Sequence, residues 1–548
     1  MSILKAVRKF HGGLKLPGHK SRSMTSGITN IPLPDELVIP MQQHIGQPAE
    51  PVVNVGDHVL TGQLIARTTS TVSAPVHASS SGEVVAIEER HFPHPSRLRT
   101  LCIVIKTDAE DKHVEYKATE PDNLSASALR EVIHNAGIVG LGGAGFPAAL
   151  KLNPPLENKI HTLILNGAEC EPYISCDAML MQSEAKKIIQ GALFIKKALD
   201  IPDCMIGVED NKPEAIKALD MAITGSGDTS IKLYRVPTRY PAGGEKQLVE
   251  TLTGKQIPLG GLPSNIGVIC HNIATAFSVA EAVIQGKPLI ERVVTVTGQG
   301  VNKPQNLRVR FGTPIEHLLT HCAYQTDHTD RVLMGGPMMG FMLDDLSVPV
   351  IKTTNCILAE SKAERGYVDS NKAPTLPCIR CGECARVCPA QLLPQQLYWY
   401  SRAKDLDKVQ DYHVFECIEC GCCDYVCPSH LPLVHYFRFA KTEVWNQEQD
   451  RIKSDKARLR HEFNQFRAER KKKEDEERKR KKRALLKKVQ GDDSVDEEAA
   501  KKAAIEAALK RVQAKRDEQN AEAKNTDNLT QEQQQKIKEA DARRKKLD

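Results

Sequence analysis

At 548 residues the chain can bury several cores, about three or four domains by length alone, which excludes a single small module. Its net charge of +6 is a property of the tail: from Lys441 onward there are 32 Lys and Arg against 24 Asp and Glu, leaving a near-neutral 43 against 45 in residues 1–440. No apolar run approaches the ~18 residues needed to cross a bilayer, and the opening segment is basic without an apolar core, so neither a spanning helix nor a secretory leader is expected.

Residues 1–29 read as a basic N-terminal arm. From 30 to 110 short β-branched runs alternate with turn signals, as in VVNVGDHVLTGQLIA and SAPVHASSSGEVVAI, which predicts a small all-β domain. The rhythm resembles a biotinyl/lipoyl barrel-sandwich, yet no lysine lies between Ile65 and Gly82 to carry a swinging group, so a structural or docking role is expected. Residues 120–288 alternate strand-like segments (HTLILNGAE, CMIGVED) with helical spacing (NKPEAIKALDMAI, NIATAFSVAEAVIQG), the pattern of a layered α/β domain and the commonest home of a nucleotide cofactor. A β-rich stretch at 289–348 reads as a β-grasp-like insert, residues 359–441 as a cysteine-rich module, and 442–548 as a charged tail, helical or disordered. The tail's basic centre, RKKKEDEERKRKKRALLKK, also suits anionic lipid or an acidic partner face. No nucleic-acid reading motif accompanies the charge, and none is expected as a partner.

Seven cysteines are scattered and nine lie between Cys378 and Cys427. CIRCGECARVCP supplies Cys378, Cys381, Cys384 and Cys388; CIECGCCDYVCP supplies Cys417, Cys420, Cys423 and Cys427. Both fit C-x2-C-x2-C-x3-C-P, in which three thiolates wrap one face of a cubane and the fourth completes the neighbouring cluster. The expected ligand sets are Cys378, Cys381, Cys384 with Cys427, and Cys417, Cys420, Cys423 with Cys388. Zinc also takes four thiolates, but typically from separated C-x2-C pairs with no third cysteine at this spacing. Cys422 is a spare. The 28 residues between Cys388 and Cys417 include a helical pattern, so an α-helical module with two [4Fe-4S] clusters is predicted.

A second signal is GLGGAGFP at 140–147, with Lys151 just beyond. Its glycines permit close backbone approach to a phosphate or flat ring, although a glycine-rich turn is as often plain structure. Companion motifs carry a resemblance: GLGGAGFPAALK, NGAECEP (166–172), YPAGGE (240–245) and VICHNIAT (268–275) recur in this order in the flavin-bearing, NADH-oxidising subunit of respiratory complex I. With the N-terminal barrel, GGPMMG (335–340) and the doubled cysteine motif, residues 5–440 resemble the C-subunit family of Rnf/Rsx-type ion-translocating electron-transport complexes.

The resemblance implies an FMN cradle at Gly140, Gly142, Gly143 and Gly145, with Lys151 reaching the flavin and Phe146 near the nicotinamide of NAD(H). It places Asn166, Tyr240, Glu245, Asn272 and Thr275 along the flavin, and Glu169 and Glu171 near the flavin and the nicotinamide nucleotide. Ala168, Gly244 and His271 depart from the complex I pattern, which has Asp, Glu and Asn there, and Glu169, Glu171 and Glu245 also suit helix caps or lysine partners. The family's role is a peripheral one on the cytoplasmic side of the inner membrane, partnered by membrane-embedded and iron-sulfur subunits. Flavin joins two-electron nicotinamide chemistry to one-electron clusters, so no acid/base or nucleophilic catalytic residue is expected. Other readings are a soluble flavin/iron-sulfur reductase of the cobalamin-reductase type and a non-catalytic relay or docking protein.

Overall fold

A computed structural model describes residues 4–5, 8–118, 120–155, 157–364, 374–489 and 503–513, in two units, Met1–Glu448 and Gln449–Asp548. The first unit is built around a five-stranded parallel sheet with the order Leu4–Lys5, Ile231–Val236, Asp203–Glu209, Thr162–Gly167, Val268–Asn272. The central strands are nearly continuous apolar runs, as a parallel sheet covered on both faces requires. Helices Ala185–Leu199 and Ile273–Gln285 bury Ile188, Ile189, Ile195, Val279 and Val283 in its core. At the carboxyl edge of this sheet the chain leaves the strands into the segments around Ala168, Asp210, Tyr240 and Asn272, the place where open α/β sheets bind ligands.

Two antiparallel sheets form the barrel-sandwich. One has the order Glu36–Pro40, Arg99–Thr107, Gly82–His91, His58–Val59; the other, Glu50–Pro51, Leu64–Arg67, Val76–His77. Leu37, Ile39, Ile65, Val76, Ile103 and Ile105 fill the space between them. A third body is a six-stranded mixed sheet ordered Phe341–Leu343, Arg331–Met334, Cys356–Glu360, Glu291–Thr297, Gln305–Arg310, Thr29–Asn30. Two of its strands lie outside the 289–348 span read from sequence. Cys356–Glu360 is buried at every position and pairs in parallel with Glu291–Thr297, while Thr29–Asn30 closes the far edge.

The N-terminal arm is part of the folded unit. Leu4–Lys5 extends the parallel sheet, Leu14 bridges Tyr240, and Gly13 N donates to Val387 O at 2.9 Å. Covering exposed strand edges with short segments of this kind removes unpaired backbone groups.

The bodies meet at a buried lysine. Lys352 Nζ donates to Gly137 O at 2.7 Å and to Pro75 O at 3.2 Å, tying the insert to the α/β body and to the barrel-sandwich. Burial brings its pKa down from 10.5 to about 7, so between those values the unfolded chain holds more protons than the folded one and stability rises with pH. Urea unfolding is expected to show the midpoint climbing from pH 7 towards 10.5, with a smaller climb in Lys352→Met.

In the cysteine-rich module, helices Pro394–Ala403 and Leu406–Asp411 separate the two motifs, broken at Lys404, whose φ is +57°. Helix Leu433–Val489 begins there, with Leu433, Val434, Phe437, Ala440 and Val444 buried. In the second unit the helical residues up to 485 and those at 503–513 are almost all exposed, Ile452, Leu459, Phe463, Phe466, Ile505, Leu509 and Val512 among them. The rest of the 442–548 reading, at 490–502 and 514–548, lies outside the described residues, as do positions 1–3 and 6–7 of the arm.

Candidate functional site

A cavity of about 680 Å³ opens at the carboxyl edge of the parallel sheet. Its floor is the glycine loop, closed by Gly140 N donating to Phe146 O at 2.8 Å. Gly143 has φ +112°, and a Cβ there would meet nothing within 4 Å because it would point into open space. Gly145 lies off the cavity: its φ is +63° and a Cβ would strike Thr353 Cγ2 at 2.8 Å. Helix Ala148–Lys151, which follows, is a single turn, so the charge at this end of the cavity comes from Lys151 rather than from a long helix dipole. Lys151 Nζ donates to Glu245 Oε2 at 2.8 Å and to Cys270 O at 3.1 Å. Burial opposes its charge most, but Glu245 and Cys270 together outweigh that and raise the lysine.

The other walls interlock. Asn166 donates to Gly243 O at 2.8 Å and accepts from Ala168 N at 3.0 Å, binding the 166–172 segment to the 240–245 segment. Glu169 accepts Asp177 N at 2.8 Å, holding the start of helix Cys176–Ser183. Glu171 accepts Met338 N at 2.7 Å and Met339 N at 3.1 Å, so the 335–340 turn closes over it; burial pushes its carboxyl up to about 6. Asn272 caps helix Ile273–Gln285 through Ala274 N and donates to Asp177 Oδ2 at 2.7 Å.

Of the residues expected along the flavin, Gly140, Gly142, Gly143, Phe146, Lys151, Asn166, Glu169, Glu171, Tyr240, Glu245 and Asn272 line this one cavity. Gly145 and Thr275 do not. Thr275 is fully buried and its hydroxyl accepts Leu141 N at 3.0 Å, so it fixes the glycine loop from behind. Sequence reasoning missed Asp177, Arg292 and Ile418, which also line the cavity. Burial, reinforced by Glu169, raises the Asp177 carboxyl, and the Arg292 guanidinium donates to Leu141 O at 3.2 Å. His271, one of the departures, also lines the cavity and is kept neutral by burial with a pKa of about 3; its Nε2 is buried without a hydrogen-bond partner among the described residues.

Beneath the acidic segment sits Lys20 of the arm. Its ammonium donates to Glu169 O and Glu171 O, each at 2.8 Å, and to Ile174 O, while Lys212 Nζ reaches Glu169 O at 3.2 Å. No sequence motif marks Lys20, since basic arms are ordinarily solvated. Lys20→Met leaves three inward-facing carbonyls without this donor and is expected to cost about 2–3 kcal/mol, read as a lowered urea midpoint.

The cysteines fall into two groups. Cys378, Cys381, Cys384 and Cys427 line one cavity; Cys388, Cys417, Cys420 and Cys423 line another, together with Cys422. The repeats have the same local backbone: φ is +57° at both Arg380 and Glu419, and +78° and +75° at Gly382 and Gly421, each glycine opening a short helix. Backbone N–H groups point at sulfurs, from Leu392 to Cys388 and from Glu419 to Cys417, both at 3.4 Å, and from Leu431 to Cys427 at 3.5 Å. Cys422 is fully buried in the core shared with the α/β body. The two sites touch: Ile418 lines the large cavity and the Tyr240 hydroxyl donates to Cys420 O at 2.7 Å.

Comparison with known proteins agrees with this organisation. Family models match as the RnfC barrel sandwich hybrid domain at 8–110, the Nuo51 FMN-binding domain at 133–281, the SLBB domain at 293–342 and the 4Fe-4S dicluster domain at 377–431. In this order they define a class of chains in which a flavin-binding fold carries its own two-cluster ferredoxin module. The C subunit of the ion-translocating oxidoreductase complex from Pseudomonas aeruginosa is 46% identical over 469 residues, 85% of this chain and 60% of that protein. Its namesake from Serratia proteamaculans is 47% identical over 464 residues, 84% of this chain and 65% of that one. The chain belongs to this C-subunit family, and it spans under two thirds of the length of these two relatives. An NAD+-reducing [NiFe]-hydrogenase structure aligns at 17% identity and a TM-score of 0.42 over 59% of this chain and 63% of that one.

Proposed function

We propose that this protein is the electron-transfer component of a membrane complex that couples electron flow between NAD(H) and a low-potential carrier to ion translocation. The observation that carries the reading is the contact between the sites: the wall of the large cavity includes Ile418, from the loop between Cys417 and Cys420. FMN, when bound, takes electrons in pairs from a nicotinamide and releases them singly to [4Fe-4S] clusters.

The chain's own residues position and insulate. The glycine loop, held by Thr275 and Arg292, presents backbone to a flat ring; Lys151 and Glu245 sit at one end and the Glu169 to Glu171 segment at the other. Lys20 and Lys212 fix that segment's carbonyls, while its carboxylates are held by Asp177 N and by Met338 N and Met339 N. Tyr240 ties the cavity wall to the Cys420 backbone, making the Cys388, Cys417, Cys420, Cys423 group the inner cluster site. The Cys378, Cys381, Cys384, Cys427 group is the outer one, with Cys381 exposed. The two C-x2-C-x2-C-x3-C-P runs, in place of separated C-x2-C pairs, and the match to a 4Fe-4S dicluster domain favour cubanes over zinc.

Among the described residues no helix is long and apolar enough to cross a membrane. The attachment proposed, from membership of the C-subunit family, is peripheral, on the cytoplasmic side of the inner membrane, through membrane-embedded and iron-sulfur partner proteins and the basic tail. Anaerobic purification with flavin and iron analysis tests the assignment. About one FMN and eight irons per chain, bleached by NADH, are expected; clusters without flavin would leave only a relay, and neither would reject it. Retention on washed membranes and release by high salt tests the attachment.

A further inference from the structure

A second cavity of about 500 Å³ lies at the same carboxyl edge, beyond the ends of strands Asp203–Glu209 and Ile231–Val236. Four cations line it: Arg8, Lys9 and Lys15 from the arm, and Arg239. Among the described residues no carboxylate pairs with any of them within 4.0 Å, whereas much of the body's remaining charge is paired, as at Lys151, Lys196 and Lys287. The one carboxylate on the wall, Asp210, is taken up by the backbone N–H of Thr238 at 3.0 Å and by its hydroxyl. Arg239 lies 5.9 Å from the centroid of the buried Phe10 ring and donates to Gly13 O at 3.4 Å, which holds its guanidinium over an aromatic surface.

A concave wall carrying four unneutralised cations focuses positive potential. The volume is in the range of small-molecule sites, and the position is where α/β sheets bind phosphate-bearing ligands. We infer that this cavity is a second binding site, for a phosphate-bearing small molecule of about mononucleotide size, distinct from the flavin cavity. It stands behind the same loop: Arg239 and Ala242 face it, while Tyr240, Pro241 and Gly243 face the flavin cavity. The arm therefore serves as half of a binding site, which accounts for basic residues that the electron-transfer reading leaves without a role.

The test uses the full chain, purified anaerobically, loaded with one FMN per chain and freed of excess FMN by gel filtration, and isothermal titration with inorganic pyrophosphate and with AMP at about 0.1 M salt. Both are expected to bind at one per chain and to compete with each other. Lys9 and Lys15 are exposed, so a Lys9→Glu, Lys15→Glu double variant is expected to fold and keep its flavin and iron. Its affinity for both probes is expected to fall at least about tenfold. Absence of binding below about 1 mM, or binding that survives in the double variant, would overturn the site. Neither readout depends on NADH oxidation, so failure here is separable from failure of the electron-transfer assignment.

Discussion

A Cys420→Ala variant is expected to hold about four irons per chain in place of about eight, to keep its FMN, and to leave the outer cluster unreduced when NADH is added. A cubane bound by three protein thiolates instead of four has an open iron corner, and the affected position is the one whose backbone carbonyl accepts the Tyr240 hydroxyl. Both the cluster and the junction with the flavin cavity are then disturbed, so the flavin band should bleach with NADH while the residual cluster band persists. The control lies two residues away. Cys422 is buried and packs with the same core, yet it stands outside the ligand pattern, so Cys422→Ala should keep all the iron and lose only packing, about 1 kcal/mol. Alanine is the informative replacement because serine would place a hydroxyl in an apolar pocket. Iron and acid-labile sulfide analysis, with low-temperature EPR of the dithionite-reduced proteins, reads both variants.

Gly143→Val is expected to reduce bound flavin from about one per chain to near zero while leaving iron unchanged. Its φ of +112° is a conformation that a β-branched residue resists. Its Cβ meets no protein atom within 4 Å, so a side chain at this position would stand in the space available to the ring. Nothing packs there, so the fold should be kept, with the strained φ costing about 1–3 kcal/mol, read as a lowered urea midpoint. Flavin fluorescence after acid release, against iron content on the same sample, makes the measurement.

The doubled cysteine motif was readable because cluster ligation is a local demand: three thiolates on one face fix the spacing within seven residues, and a helix follows each glycine at Gly382 and Gly421. The α/β body was readable from apolar strand runs and helical periodicity. What escaped were contacts made by distant segments. Lys20 looked like part of a solvated basic arm, and only the fold carries it under Glu169 and Glu171. Asp177 and Arg292 sit at the beginnings of a helix and a strand, where charged residues ordinarily face water. Ile418 is an x position between cysteines, invisible to a ligand pattern although it joins the two sites. Resemblance puts Thr275 on the flavin wall; in the first turn of its helix its hydroxyl accepts from Leu141 N. Strands as short as Leu4–Lys5 and Thr29–Asn30 carry no periodicity to read.

The central claim is that the large cavity and the two cysteine groups form one conducting path. Stopped-flow mixing of anaerobic, oxidised protein with NADH, followed at the flavin and cluster absorption bands, tests it most directly. The account predicts that the flavin band bleaches first and both clusters follow within the same turnover, with the cluster phase abolished in Cys420→Ala. A flavin that bleaches fully while both clusters of the unaltered protein stay oxidised would contradict it.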